Sequence, residues 1–323
     1  MHTLPLSSYL PNVSTLAYGC MGLGGNWDRS AITDEHIKQG HAVIDCALDN
    51  GINLFDHADI YTLGKAEQVF GNILAARPSL RESLFLQSKC GIRFDDDKGP
   101  KRYDLSKDWI IYSVEQSLKR LHTDYLDILL LHRPDPLMQP DEIAEAFEAL
   151  HSAGKAKHLG VSNMNSAQIQ YLQRAIDAPI VANQIEISLH QRQWLEDGVM
   201  VGNPAGKDLN FSSGTLEYCQ MHNVQVQSWG SLAQGLFTGK HVADESESVQ
   251  QTAKYVAQLA AEYQTSPEAI VLAFLLRHPS KIQPVLGTTN LARIKACVAA
   301  TSVNLTREHW YRLFETARGE ALP

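Results

Sequence analysis

Eight short apolar runs, each followed by a stretch of helical character, constrain this chain more than any other feature. They are Leu16–Cys20, Ile52–Phe55, Leu84–Ser88, Leu126–Leu131, His158–Val161, Ile180–Gln184, Val224–Ser228 and Ile282–Leu286. Runs this short and this rich in Val, Ile, Leu and Phe suit parallel strands buried on both faces. Between them, Thr33 or Asp34 can cap a helix to about Asn50, stopped by Gly51. Ser106 opens a second helix with Ile110, Val114, Leu118 and Leu121 on one face, and Asp141 opens a third, ending near Gly154, with Ile143, Ala146, Phe147 and Leu150 facing inward.

Strand and helix alternate without any linker rich in Pro, Gly or Ser, which argues for one closed α/β unit over residues 1–323. A doubly wound Rossmann sheet would need G-x-G-x-x-G directly after a strand, and Gly22, Gly24 and Gly25 do not fit that spacing. The expected fold is therefore a (β/α)8 TIM barrel, an architecture that often exceeds about 250 residues. Leu4–Asn12, with two prolines, is expected to form a short N-terminal hairpin plugging one end of it. Trp194–Ser213 reads as a long loop, and Thr306–Ala317 as one extra C-terminal helix capped by Thr306.

Composition removes several function classes. Lys+Arg 28 against Asp+Glu 36 gives a net charge of −8, with no basic stripe for nucleic acid and little attraction to anionic membranes. No apolar run approaches the ~20 residues that span a bilayer, and residues 1–20 lack the pattern of a targeting segment. Cys20, Cys46, Cys90, Cys219 and Cys297 are scattered and odd in number, as for reduced thiols, so a cytoplasmic location is expected. G-x-S-x-G, H-E-x-x-H and His/Cys clusters are absent, which disfavours a serine hydrolase and a metal enzyme; His57 and Asp59 alone make a poor metal pair. No protein partner is evident.

A barrel of this kind places its chemistry on the loops after the strands. Asp56 follows the second run and leads to Tyr61; Lys89 follows the third and His132 the fourth. Singly, each has an ordinary reading: a structural carboxylate, a packed phenol, a solvated lysine, a turn histidine. Together they suit carbonyl chemistry. A phenol titrates near ~10 and is a poor acid at neutral pH, but an adjacent ammonium lowers that value and a carboxylate holds the ammonium in place. His132 can then hold the substrate oxygen while the phenol delivers a proton. At the other end, Gly287-Thr288-Thr289-Asn290 opens a helix through Ala300, and a helix start with Arg293 in its first turn suits a phosphate. The alternative is an ordinary capped helix with a solvated arginine.

Phe55-Asp56-His57-Ala58-Asp59-Ile60-Tyr61 resembles the signature of the aldo-keto reductase family. Ser88-Lys89, Leu130-Leu131-His132-Arg133-Pro134, Gly160-Val161-Ser162-Asn163 and Asn183-Gln184-Ile185-Glu186 match further family segments in order along nearly the whole chain. Ser88-Lys89-Cys90-Gly91-Ile92 and His132-Arg133-Pro134-Asp135-Pro136-Leu137-Met138 are similar to the bacterial YdhF-like branch. The resemblance implies NADP(H)-dependent reduction of an aldehyde or ketone, a small-molecule carbonyl, with Tyr61 as acid, Lys89 tuning it, Asp56 holding Lys89 and His132 orienting the substrate. It also implies a cofactor site of Met21, Ser162, Asn163, Gln184, Trp229, Gly230, Ser231, Leu232, Gly287, Thr288, Thr289 and Arg293. In that site Ser162, Asn163 and Gln184 would hold the carboxamide, Trp229 would stack on the nicotinamide, and Arg293 would meet the 2′-phosphate. Gly230-Ser231-Leu232 stands where Ser-Pro-Leu is common, leaving a backbone contact at position 230, and Gly287 stands where some members have lysine. Position alone would let Asp95-Asp96-Asp97, the 194–213 segment and Trp27 shape the substrate pocket. A nicotinamide-binding sensor or partner-docking subunit on the same barrel, with weak or vestigial catalysis, is the rival reading.

Overall fold

A computed structural model describes residues 3–323. Eight parallel strands close into a barrel: β1 (Ala17–Gly19), β2 (Leu54–Asp56), β3 (Phe85–Cys90), β4 (Leu126–Leu131), β5 (Ala156–Ser162), β6 (Ile180–Glu186), β7 (Gln225–Trp229) and β8 (Gln283–Leu286). Each pairs with its neighbours in sequence, and β8 returns to β1. All eight coincide with the apolar runs, with ends that shift by up to two residues. The shifts matter for the chemistry. Asp56 is the last residue of β2, and Lys89 lies inside β3 rather than after it.

Helices complete the βα units: α1 (Asp34–Asp49), α2 (Lys65–Ala76), α3 (Lys107–Leu121), α4 (Pro140–Ser152) and α5 (Ser166–Gln173), then α6 (Gln193–Val199), α7 (Thr215–Met221), α8 (Glu247–Glu262), α9 (Pro267–Leu276), α10 (Leu291–Val298) and α11 (Arg307–Arg318). Thr33 caps α1 with a hydrogen bond from the His36 amide, and Thr306 caps α11 from the His309 amide, each satisfying a backbone donor that the first turn leaves free. Strand residues alternate between two environments. Phe55, Leu86, Leu129, Leu131, Leu159, Val161 and Val226 face the helices and join the main core. Leu54, Ile128, Leu130, Ala182 and Val285 face the barrel axis in a second cluster.

Three expectations are corrected. The N-terminal segment does plug the barrel, with Leu4, Leu6 and Leu10 in the axial cluster. It does so as a 3-10 turn over Pro5–Ser8, not a hairpin. Proline at the first helical position favours that turn and withholds a strand donor. The segment 194–213 is no bare loop, because it holds α6 and a 3-10 turn over Pro204–Asp208. Trp194 anchors it against Phe274 and His278, and Glu196 pairs with Arg318 of α11. The helix expected through Ala300 ends at Val298, followed by a 3-10 turn over Ala299–Ser302. No helix among the described residues is long and apolar enough to cross a membrane.

Candidate active site

The site is built at the carboxyl ends of β2, β3 and β4. Lys89 is buried, and its ammonium has three protons to donate. All three are used: Asp56 Oδ2 accepts at 2.7 Å, the Tyr61 hydroxyl oxygen at 2.8 Å and the His57 carbonyl at 2.9 Å. The Tyr61 hydroxyl is thus an acceptor toward Lys89, which leaves its own proton to point elsewhere. His132 closes the set, its ring edge-to-face with Tyr61 at 6.1 Å between centroids. The four residues expected to carry chemistry are therefore brought together.

The backbone that presents Tyr61 is unusual. Thr62 and Leu63, directly after it, both hold left-handed conformations, with φ of 48° and 60°. Such conformations are costly for side chains with a Cβ and tend to mark functional turns. The Thr62 hydroxyl donates to the Leu23 carbonyl at 3.0 Å, pinning the turn to the loop after β1.

The electrostatics depart from the simplest expectation. Burial raises the Tyr61 phenol above its ordinary range, and Lys89 only partly offsets this. The phenol therefore remains protonated, the state a proton donor needs. Burial would push the Lys89 ammonium down, but Asp56 and Tyr61 more than compensate and hold it charged. Burial, with Lys89 and Arg133 nearby, puts the His132 imidazole well below its usual range, so it is neutral. His132 Nδ1 is buried and has no partner.

A second group gathers on β5, β6 and β7. The Ser162 hydroxyl donates to the Gln184 carbonyl at 2.8 Å, and Asn163 Nδ2 donates to the Ser162 hydroxyl at 2.8 Å. Asn163, itself left-handed with φ of 57°, accepts from the Trp229 indole at 3.0 Å. The indole is thereby locked in one orientation beside Arg133, whose guanidinium lies 5.8 Å from the ring centre. Gln184 is buried, and its amide is directed to Gln227 at 3.2 Å, so its side chain supports the site from below. The Ser231 hydroxyl turns inward to the Ser228 carbonyl at 2.8 Å. Gly230 is left-handed and Leu232 packs on the core.

The third group is the opening of α10. Asn290 caps it from the Arg293 amide, and Tyr18 donates to the Thr288 carbonyl at 2.9 Å. The Thr289 methyl lies beside Gly22, next to the half-exposed Met21, and Gly287 has open space around it. Arg293 is not a free cation. It pairs with Glu268 at 3.2 Å and donates to the Thr238 carbonyl at 3.0 Å and hydroxyl at 3.1 Å.

On the rim after β3, Asp96 bridges Arg93 and Arg102 in a small hairpin of Ile92–Arg93 against Arg102–Tyr103. His57 is buried against Phe70, and among the described residues no group could hold a metal ion. Trp27 is half exposed on the loop after β1.

Sequence reading missed a buried polar layer beneath Asp56, Tyr61, Lys89 and His132. Gln87 donates to Asp56 Oδ1 at 2.5 Å and to Gln227 at 2.9 Å; Gln227 donates to Gln283 at 2.9 Å, and Gln283 to the Ser14 carbonyl at 2.7 Å. The signal was present as glutamines inside apolar runs, at positions where the barrel interior normally takes branched aliphatics. Glu268 and Thr238 were also missed, because nothing in the sequence ties them to Arg293.

Residues 15–317 match the model of the aldo/keto reductase family. The chain is 37% identical over 303 residues to oxidoreductase YdhF of Escherichia coli, covering 92% of each chain. It is 35% identical over 325 residues to a 6-dehydroglucose reductase of Agrobacterium fabrum, covering 99% of each. Among solved structures, an aldo-keto reductase of Klebsiella pneumoniae in complex with NADPH superposes with a TM-score of 0.73 at 24% identity, over 96% of this chain and 93% of that one.

Proposed function

This chain belongs to the aldo-keto reductase family, and we propose that it is an NADP(H)-dependent reductase of aldehyde or ketone carbonyls. The observation that carries the reading is the saturated Lys89. With one proton donated to Asp56, one to the His57 carbonyl and one to the Tyr61 oxygen, the ammonium fixes the phenol so that only its own O–H is available to a bound substrate. Tyr61 donates that proton to the carbonyl oxygen, and neutral His132 orients the same oxygen by hydrogen bonding. After transfer the phenolate faces the Lys89 ammonium at 2.8 Å, which stabilises the new charge without rearrangement.

The residues present fit the cofactor. Trp229 offers a flat, immobilised indole face for the nicotinamide ring, and Asn163 with Ser162 lies beside it for the carboxamide. The backbone from Gly230 to Leu232, with Met21 from the loop after β1, would flank the pyrophosphate. Gly287, Thr288 and Thr289 would receive the ribose phosphate at the start of α10, with Arg293 alongside. NADPH held there would supply the hydride that the carbonyl carbon takes up. Gln184 acts at one remove, through the Ser162 hydroxyl that its carbonyl holds.

For substrate, aldehydes bearing several hydroxyl groups are the class to test first. The Agrobacterium relative is a 6-dehydroglucose reductase, and the rim beside Trp229 is polar, with Arg133 against the indole and Glu186 in register with it. NADPH consumption in the presence of sugar-derived and simple aldehydes tests the reading. Tight NADPH binding with no consumption on any carbonyl would instead describe a nicotinamide sensor.

A further inference from the structure

Asp56 is held from two sides, and only one of them belongs to the proton-donating set. Lys89 takes Oδ2; Oδ1 is met by Gln87 Nε2 at 2.5 Å. Both residues are buried, so water does not substitute for either partner. We infer that Gln87 is a positioning residue for the reduction. Through Asp56, it sets where the Lys89 ammonium stands and hence how strongly that ammonium supports Tyr61. The inference rests on the reductase reading given above.

The orientation of the Gln87 amide follows from its neighbours. An ionised carboxylate only accepts hydrogen bonds, so the NH2 group must face Asp56. Its second proton goes to Gln227 Oε1 at 2.9 Å, and its own Oε1 is left buried without a partner. An unpaired buried acceptor is costly, and the arrangement persists because the amide is clamped on its donor side. The clamp is extended: Gln227 donates to Gln283, and Gln283 to the Ser14 carbonyl, crossing the barrel through fully buried side chains. Strand register enforces it, since Asp56 pairs with Gln87 and Gln227 with Gln283. Gln87 therefore cannot swing away from Asp56 without breaking bonds on three strands. Lys89 lies two residues further along the same strand and points to the same side of it, so the carboxylate that Gln87 orients is the one Lys89 meets.

The test compares Gln87→Met, which keeps length and removes the donor, with Gln87→Glu, which keeps shape and changes the donor. Steady-state rates with NADPH and an aldehyde give kcat and KM, and fluorescence titration gives the NADPH Kd. For Gln87→Met we expect kcat to fall about tenfold with KM and Kd little changed. In an Asp56→Asn background, the same change should cost almost nothing further, because both act on one carboxylate. Gln87→Glu should retain activity at acid pH, where its carboxylic acid can donate to Asp56, and lose it as pH rises and the two carboxylates repel. A merely structural role would not reshape the pH profile. Wild-type kcat in Gln87→Met, losses that add fully to those of Asp56→Asn, or a pH profile for Gln87→Glu identical to wild type would each overturn the inference. Should Gln87→Met fail to fold, the Gln87→Glu profile decides alone. Wild-type protein inert on every carbonyl would instead defeat the reductase reading.

Discussion

Lys89 and Asp56 form a salt bridge of 2.7 Å in which both side chains are almost wholly excluded from solvent. Such a pair loses much solvation on burial, and removing one member leaves the other as an unpaired buried charge. Lys89→Met should therefore destabilise the fold by about 3–5 kcal/mol. The double variant Lys89→Met with Asp56→Asn should recover a large part of that loss. Thermal and urea unfolding of the single and double variants checks this. A double variant no more stable than Lys89→Met would mean that the two charges are not coupled as the geometry requires.

Arg293 offers a different kind of prediction. Glu268 engages its guanidinium at 3.2 Å while the arginine remains more than a third exposed. If Arg293 receives the 2′-phosphate as proposed, that phosphate would compete with the carboxylate. Glu268→Gln should therefore tighten NADPH binding by a few-fold, about 2- to 5-fold, as expected for a partly exposed pair, and change NADH binding less. Tryptophan-quenching titrations with both cofactors measure the ratio. An unchanged ratio would place the 2′-phosphate away from Arg293.

His57 predicts acid lability. Its imidazole is buried with neither nitrogen partnered, and burial, aided by Lys89, lowers its pKa from 6.5 to about 3. The unfolded chain takes up this proton near pH 6.5 and the folded chain only near 3. Stability from keeping the ring neutral is thus complete above about 6.5 and is lost as pH falls toward 3. His57→Leu should flatten the decline of unfolding free energy between these limits. An equally steep decline in the variant would assign the effect to other groups.

Much of the architecture was legible because short continuous apolar runs mark strands buried on both faces, while a period of 3.6 and a capping residue mark helices. All eight strands and the helices after Thr33, Ser106 and Thr306 follow from these signals. The N-terminal plug was misread in conformation because two prolines signal a turn without specifying its type. Of the site, Asp56, Tyr61, Lys89 and His132 could be placed because each falls at, or within a few residues of, the carboxyl end of β2, β3 or β4. The support around them could not. Gln87, Gln227 and Gln283 meet only when the barrel closes, and the pairing of Arg293 with Glu268 and Thr238 joins three separate segments. Single side chains also concealed the sign of the Tyr61 shift, since burial is a property of the closed barrel.

The central claim is that Tyr61 gives its hydroxyl proton to a carbonyl held by His132. It is tested most directly by measuring NADPH consumption on an aldehyde panel and NADPH affinity in wild type and Tyr61→Phe. The account predicts that the variant binds NADPH within about twofold of wild type and loses turnover by about 10²- to 10⁴-fold, the range for a positioned general acid. A Tyr61→Phe protein that reduces the same aldehydes at the wild-type rate would contradict it.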